Sequence, residues 1–99
     1  MKITTEEIPF EGGPLTGVEI HLFAVNLILI RAKSGFVMCG YLNLEVAARV
    51  EDAACTARGR VNTVSEVLAA TVNGVTPKAA ALGVTPGMPI PEALKLMNQ

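Results

Sequence analysis

Cys39 is the residue whose type and position best suit chemistry. It ends a predicted strand, precedes Gly40, and lies shortly before a predicted helix start. Free backbone N–H groups and the helix dipole at such a place stabilise a thiolate and can receive an oxyanion. The general base would have to be His21, the only histidine in the chain. The competing interpretation is a buried, unreactive cysteine, which we favour because free cysteines are commonly core residues.

Three further residues are candidate ligand contacts near that thiol. Gly40 would let a ligand approach the backbone. Asn43 presents an amide at the helix start, where capping is its other role. Arg60 offers a fork of donors suited to a carboxylate or phosphate, although basic groups after a helix also complement its dipole, as Arg58 would.

Other site types are not expected. One histidine and two distant cysteines, Cys39 and Cys55, are too few soft ligands for zinc. We therefore predict no metal and no cofactor, and no disulfide in a reducing compartment. The glycine-rich segment 12–17 lacks the Lys-Ser/Thr ending of a phosphate loop.

Charge and hydropathy limit the partners. Eight basic and nine acidic residues give a formal charge of −1, which is not the dense basic surface of a nucleic-acid-binding protein. The longest apolar run, residues 20–30, is interrupted by His21 and Asn26 and is shorter than the ~20 residues that span a bilayer. The first ten residues contain no apolar stretch of a secretion signal, so we expect a cytoplasmic protein without a membrane role.

The amount of apolar sequence predicts self-association. The 99 residues fit a single domain over 1–99, and 51% of them are hydrophobic. A domain of this size cannot bury so many aliphatic side chains within itself. Exposed apolar surface commonly meets a second copy of the same chain, so we expect a homo-oligomer.

The first forty residues show strand periodicity. Alternating or continuous apolar runs separated by turn residues predict four antiparallel strands, over residues 3–10, 18–22, 26–31 and 36–39. Gly35 suits a positive φ in the last of these turns.

From Asn43 onward the apolar spacing becomes helical. Asn43 would cap a long helix over residues 44–57, with Cys55 on its flank, and Gly59 would end it. Residues 60–62 would form a short edge strand. Short helices would follow, one capped by a Thr63–Glu66 capping box, one by Thr76, and a last one from Pro91.

These elements predict a two-layer α+β fold. Its mostly antiparallel sheet would have about four or five strands, with one long helix and several short helices packed on it.

The segment Gly35-Phe36-Val37-Met38-Cys39-Gly40-Tyr41-Leu42-Asn43, followed by a helix, resembles the YunC-like family of small bacterial and archaeal proteins. Later segments, among them Ala79-Ala80-Ala81-Leu82-Gly83-Val84, resemble it too, and the likeness covers roughly residues 14–97. Family members often carry Asp where this chain has Asn43. The resemblance implies an α+β fold and no particular activity, since the family is a domain of unknown function.

Two functions remain open. One is a non-catalytic module that self-assembles or binds a small ligand near Cys39 and Asn43. The other is a small enzyme with Cys39 as its nucleophile. We favour the module, because no second catalytic group lies at a recognisable spacing.

Overall fold

In the computed structural model, which describes residues 1–99, six strands form one sheet whose order follows the chain. Four of the five pairings are antiparallel, and β4 and β5 are parallel. The α+β class is therefore confirmed, although the sheet has more strands than predicted. The strands are β1 (Ile3–Ile8), β2 (Leu15–His21), β3 (Asn26–Arg31), β4 (Phe36–Met38), β5 (Ala54–Ala57) and β6 (Val72–Val75). The helices are α1 (Leu44–Arg49), α2 (Val64–Leu68), α3 (Pro77–Ala81) and α4 (Ile90–Met97).

Helices lie on both faces of the sheet, so the predicted two-layer arrangement is wrong. On one face, inward residues of β2 to β5 pack with α2, α3 and α4 in the principal core, which includes Ile28, Ile30, Val37, Cys55, Val67 and Leu94. On the other face, Met38 and Ala54 pack against Ala47 of α1 in a smaller cluster. Successive strand residues alternate between these two clusters, as the strand period requires. None of the four helices combines the length and apolar character needed to cross a bilayer.

The long helix predicted over residues 44–57 is wrong in its second half. The helix α1 ends at Arg49, and residues 54–57, with Cys55 among them, form β5 beside β4. Glu51 adopts φ 63°, and the Asp52 N–H donates to the Ala47 carbonyl oxygen at 2.9 Å, which closes the helix. The longest helix is instead α4, with eight residues.

The strand predicted over residues 60–62 is also wrong, because these residues belong to the connection before α2. The strand β6 was not predicted. It pairs with β5 and completes the far edge of the sheet.

Two of the predicted helix caps are present as predicted, and the third differs in one hydrogen bond. The side chains of Asn43 and Thr76 cap α1 and α3. The Thr63 hydroxyl accepts from the Glu66 N–H at 3.0 Å, but the Glu66 carboxylate accepts from the N–H of Asn62 at 2.7 Å rather than from that of Thr63. The box therefore spans one residue more than the motif predicts.

Candidate functional site

Three chain segments enclose a solvent-open pocket of about 370 Å³. They are the start of β3, the residues after β4 and the residues after β5. The strands β3 and β4 are antiparallel, and β4 and β5 are parallel. The start of β3 and the ends of β4 and β5 therefore lie side by side at the same end of the strands. The lining consists of Ala24, Val25, Asn26, Cys39, Gly40, Tyr41, Gly59, Arg60 and Val61.

Cys39 forms part of the inner wall and is only 3% exposed. Its sulfur accepts a hydrogen bond from the Ile28 N–H, with 3.2 Å between N and Sγ. Its own N–H donates to the Ile28 carbonyl oxygen at 3.1 Å. The sulfur is therefore fixed against β3.

Asn26 and Asn62 fasten one side of the pocket. Asn62 Oδ1 accepts from the Asn26 N–H at 2.6 Å, and Asn26 Nδ2 donates to the Asn62 carbonyl oxygen at 2.9 Å. This double contact holds the start of β3 against the segment before α2. No sequence motif marks it, because the partners are far apart in the chain.

Two glycines keep the pocket open. A Cβ added at Gly40 would meet no atom within 4 Å, and its φ lies outside the left-handed region. Gly59 also faces open space, but it has φ +84°, which disfavours any other residue. This left-handed turn after β5 brings Arg60 to the pocket.

Arg60 supplies the positive charge of the pocket. It is exposed, and no carboxylate lies within 4.0 Å of its guanidinium, since the ion pairs of the chain join His21 to Glu19 and Lys95 to Glu11. Tyr41, 49% exposed, lies in the same lining and was not singled out from the sequence.

Asn43 lies away from this pocket. Its side chain accepts from the Glu45 N–H at 2.8 Å, and it lines a separate groove beside α1. Of the predicted site residues, the structure brings together Cys39, Gly40 and Arg60 and leaves Asn43 out.

His21 is not among the residues that line the pocket. Its Nε2 lies 3.5 Å from the Thr4 hydroxyl and 3.7 Å from Glu19 Oε1. The structure therefore gives Cys39 no adjacent histidine base. No group of three or more His, Cys, Asp or Glu side chains could hold a metal ion.

The second cysteine belongs to the core. Cys55 is fully buried on β5, and burial raises the pKa of its thiol from 9.0 to about 12. It is therefore a neutral packing residue at physiological pH.

Known proteins resemble this chain along most of its length. The family described as Domain of unknown function (DUF1805) matches residues 38–97. The "Uncharacterized protein YunC" of Bacillus subtilis (strain 168) is 32% identical over 93 residues, which cover 91% of this chain and 92% of that protein. The crystal structure of TA1206, a protein of unknown function from Thermoplasma acidophilum, matches with a TM-score of 0.90 and 27% identity, covering 97% of this chain and 93% of that one. The resemblance around Cys39 is thus confirmed, and this chain belongs to the YunC-like family.

Proposed function

We propose that this protein is a non-catalytic cytoplasmic module that self-associates and binds a small organic anion in the pocket beside Cys39. The observation that carries the proposal is the unpaired guanidinium of Arg60 at a pocket whose neighbouring wall is apolar. Pockets for small molecules typically combine such a wall with a few polar groups that orient the ligand.

The residues that line the pocket offer a ligand two kinds of contact, one charged and one apolar. Arg60 suits a carboxylate or phosphate, because its planar fork donates two parallel hydrogen bonds. Ala24, Val25 and Val61 provide an apolar surface for the rest of the ligand. The open space at Gly40 lets the ligand lie close to the backbone.

The alternative function is an enzyme with Cys39 as its nucleophile. The hydrogen bond from the Ile28 N–H favours this alternative, since it holds Sγ in a fixed position at the pocket wall. Two observations favour the binding module instead. The sulfur is almost fully covered, and His21 contacts Thr4 and Glu19 rather than Cys39.

Ligand binding is tested by screening small carboxylates and phosphate esters for an increase in thermal midpoint. Anions that stabilise the native chain should bind at least about tenfold more weakly to R60Q, because a charge-assisted pair is lost. They should also bind more weakly to G40L, because a Cβ at Gly40 meets no atom within 4 Å and the added side chain would compete with the ligand for the open space.

The matched control is R58Q, which removes the same charge from a nearby residue outside the lining. It should bind as the native chain does. The proposal is contradicted if no anion stabilises the native chain, or if R58Q weakens binding as much as R60Q.

The enzyme alternative is tested by the rate of iodoacetamide alkylation of Cys39 against pH, in a C55A background. A nucleophile should react well below the ordinary thiol pKa of ~8.5. A Cys39 thiol that reacts only after unfolding would exclude the enzyme.

A further inference from the structure

One face of the sheet carries no helix over β1, β2 and β3. The helices α2, α3 and α4 pack on the opposite face, and α1 contacts β5 rather than these strands. We call this uncovered surface the open face.

The open face consists of three cross-strand rows set by the register. They are Ile3–Ile20–Leu27, Thr5–Val18–Leu29 and Glu7–Thr16–Arg31. Directly paired residues project from the same side of a sheet, so each row forms a continuous ridge. Ile3 is 55% exposed, and the other apolar members are half-buried. Leu27 also reaches the edge of the principal core. Two rows are thus mainly apolar, and the third ends in opposite charges.

An apolar groove of about 350 Å³ extends the open face towards α1. It includes Phe36 and Met38 of β4 together with Val46 and Val50 of α1. Phe36 pairs with Arg31 and Met38 with Leu29, so the groove begins where the rows end. Val46 is 50% and Val50 62% exposed. The uncovered apolar surface therefore runs from the β1 edge to the side of α1.

We propose that a second copy of this chain covers the open face, related by a twofold axis parallel to β2. This inference specifies the self-association in the proposed function and rests on it. Rotation about that axis exchanges the positions of β1 and β3 and leaves each row opposite its own counterpart. Glu7 of one copy then faces Arg31 of the other, twice, while Thr16, Val18 and Ile20 meet their counterparts near the axis.

The charges of the third row are complementary in this arrangement and unused within one chain. Glu7 and Arg31 are both exposed, and neither has an ion-pair partner within 4.0 Å. They lie two strands apart, about 10 Å, because neighbouring strands are ~4.8 Å apart. Complementary charges of this kind fix the register and orientation of an interface.

Other arrangements of two copies place charges badly. A twofold axis across the strands would put Glu7 and Arg31 against the apolar row of Ile3 and Leu27. Pairing through the free edge of β1 would add a strand beside Glu6 and Glu7, and charged groups on an edge strand discourage such pairing. Of these arrangements, only the one with the twofold axis parallel to β2 satisfies the apolar rows and the charged row together.

The proposal is tested by sedimentation equilibrium of the whole chain. The native chain should be a dimer at micromolar concentration. Each of E7R and R31E should weaken dimerisation at least about tenfold, because like charges then meet twice across the axis. An equal mixture of E7R and R31E should form a heterodimer, since both of its pairs are again opposite. The double variant E7R/R31E should dimerise alone.

The matched control is E6R, an equal charge reversal on the same exposed strand but on the opposite side of the sheet. It should leave the dimer intact, and circular dichroism should show that all variants fold. A dimer that survives E7R and R31E, or single variants that fail to recover on mixing, would overturn the interface but not self-association. If E6R and E7R weaken dimerisation equally, the copies pair through the β1 edge, and the proposed open-face interface is overturned. A monomeric native chain would overturn both proposals, without bearing on the ligand pocket.

Discussion

The Thr76 hydroxyl donates a hydrogen bond of 2.8 Å to the backbone carbonyl oxygen of Asp52. The Thr76 Oγ1 atom also accepts from the N–H groups of Ala54, at 3.0 Å, and Ala79, at 3.2 Å. Thr76 is 1% exposed, so no water replaces these contacts. One side chain thus joins the entry of β5 to the first turn of α3.

Replacing Thr76 with Val should lower the free energy of unfolding by about 3 kcal/mol. The variant keeps the shape but removes a helix cap and leaves buried backbone groups without partners. Urea unfolding gives the value. The control Thr76→Ser keeps the hydroxyl and should lose less than about 1.5 kcal/mol. Equal losses in both variants would show that the methyl group, not the hydroxyl, stabilises this junction.

Replacing Glu51 with Gly should raise the free energy of unfolding by about 0.5–1 kcal/mol. Glu51 has φ 63°, at the position after α1 where helices commonly end in glycine. The control Glu51→Ala keeps a Cβ and should change stability by less than about 0.5 kcal/mol. Thermal and urea unfolding of the three proteins compare them. A destabilised glycine variant would mean that the Glu51 side chain contributes more than its backbone costs.

Replacing Gly35 with Ala should lower the free energy of unfolding by about 2 kcal/mol. The added Cβ would lie 2.6 Å from both the Ala53 carbonyl oxygen and the Met97 sulfur. The φ of Gly35 is not positive, so the sequence prediction for this glycine is wrong, and close packing explains it instead. The control Gly40→Ala faces open space and should be nearly neutral. Similar losses of unfolding free energy in the two variants would mean that the loss of glycine's backbone freedom, rather than a clash of the Cβ, destabilises Gly35→Ala.

Stability should fall at high pH because of Cys55. Its folded pKa is raised to about 12 from 9.0, so the neutral thiol stabilises the fold fully below pH 9. This contribution is lost as the pH rises from 9 towards 12, because the unfolded chain releases the proton more readily. Between about pH 7.5 and about pH 10.5 the native chain should lose about 2 kcal/mol more than C55A. Parallel pH profiles of the two proteins would contradict the raised pKa.

Local patterns predicted the first half of the fold well. The strand over 26–31 has the predicted bounds, because its apolar run lies between polar turns. The caps at Asn43 and Thr76 were predicted because a side-chain oxygen before a helix satisfies a free N–H in any fold.

Residues 50–57 could not be predicted in the same way. An alanine-rich run fits a helical stripe and also a strand covered on both faces, so its period does not decide between them. The choice of strand depends on pairing with β4 and β6 and on the contact of Thr76 with Ala54. These are tertiary interactions that no local pattern contains.

The candidate site was predicted only in part. Cys39 and Gly40 are adjacent in sequence, and Arg60 was chosen for its chemistry. Asn43 was included because it is close in sequence, but the turn after Gly40 carries it to the groove beside α1. Tyr41 and Val25 were missed, because only the meeting of β3, β4 and β5 brings them to one pocket.

The strands lie in the sheet in the same order as they occur in the sequence, and this has a consequence for biosynthesis. Each of the five strands after β1 pairs with the strand made immediately before it, so no strand depends on a partner that is synthesised much later. Short sequence separation between partners keeps the entropy of loop closure small and folding fast. A chain leaving the ribosome can therefore add strands one at a time to a growing edge, and the last strand made completes the sheet.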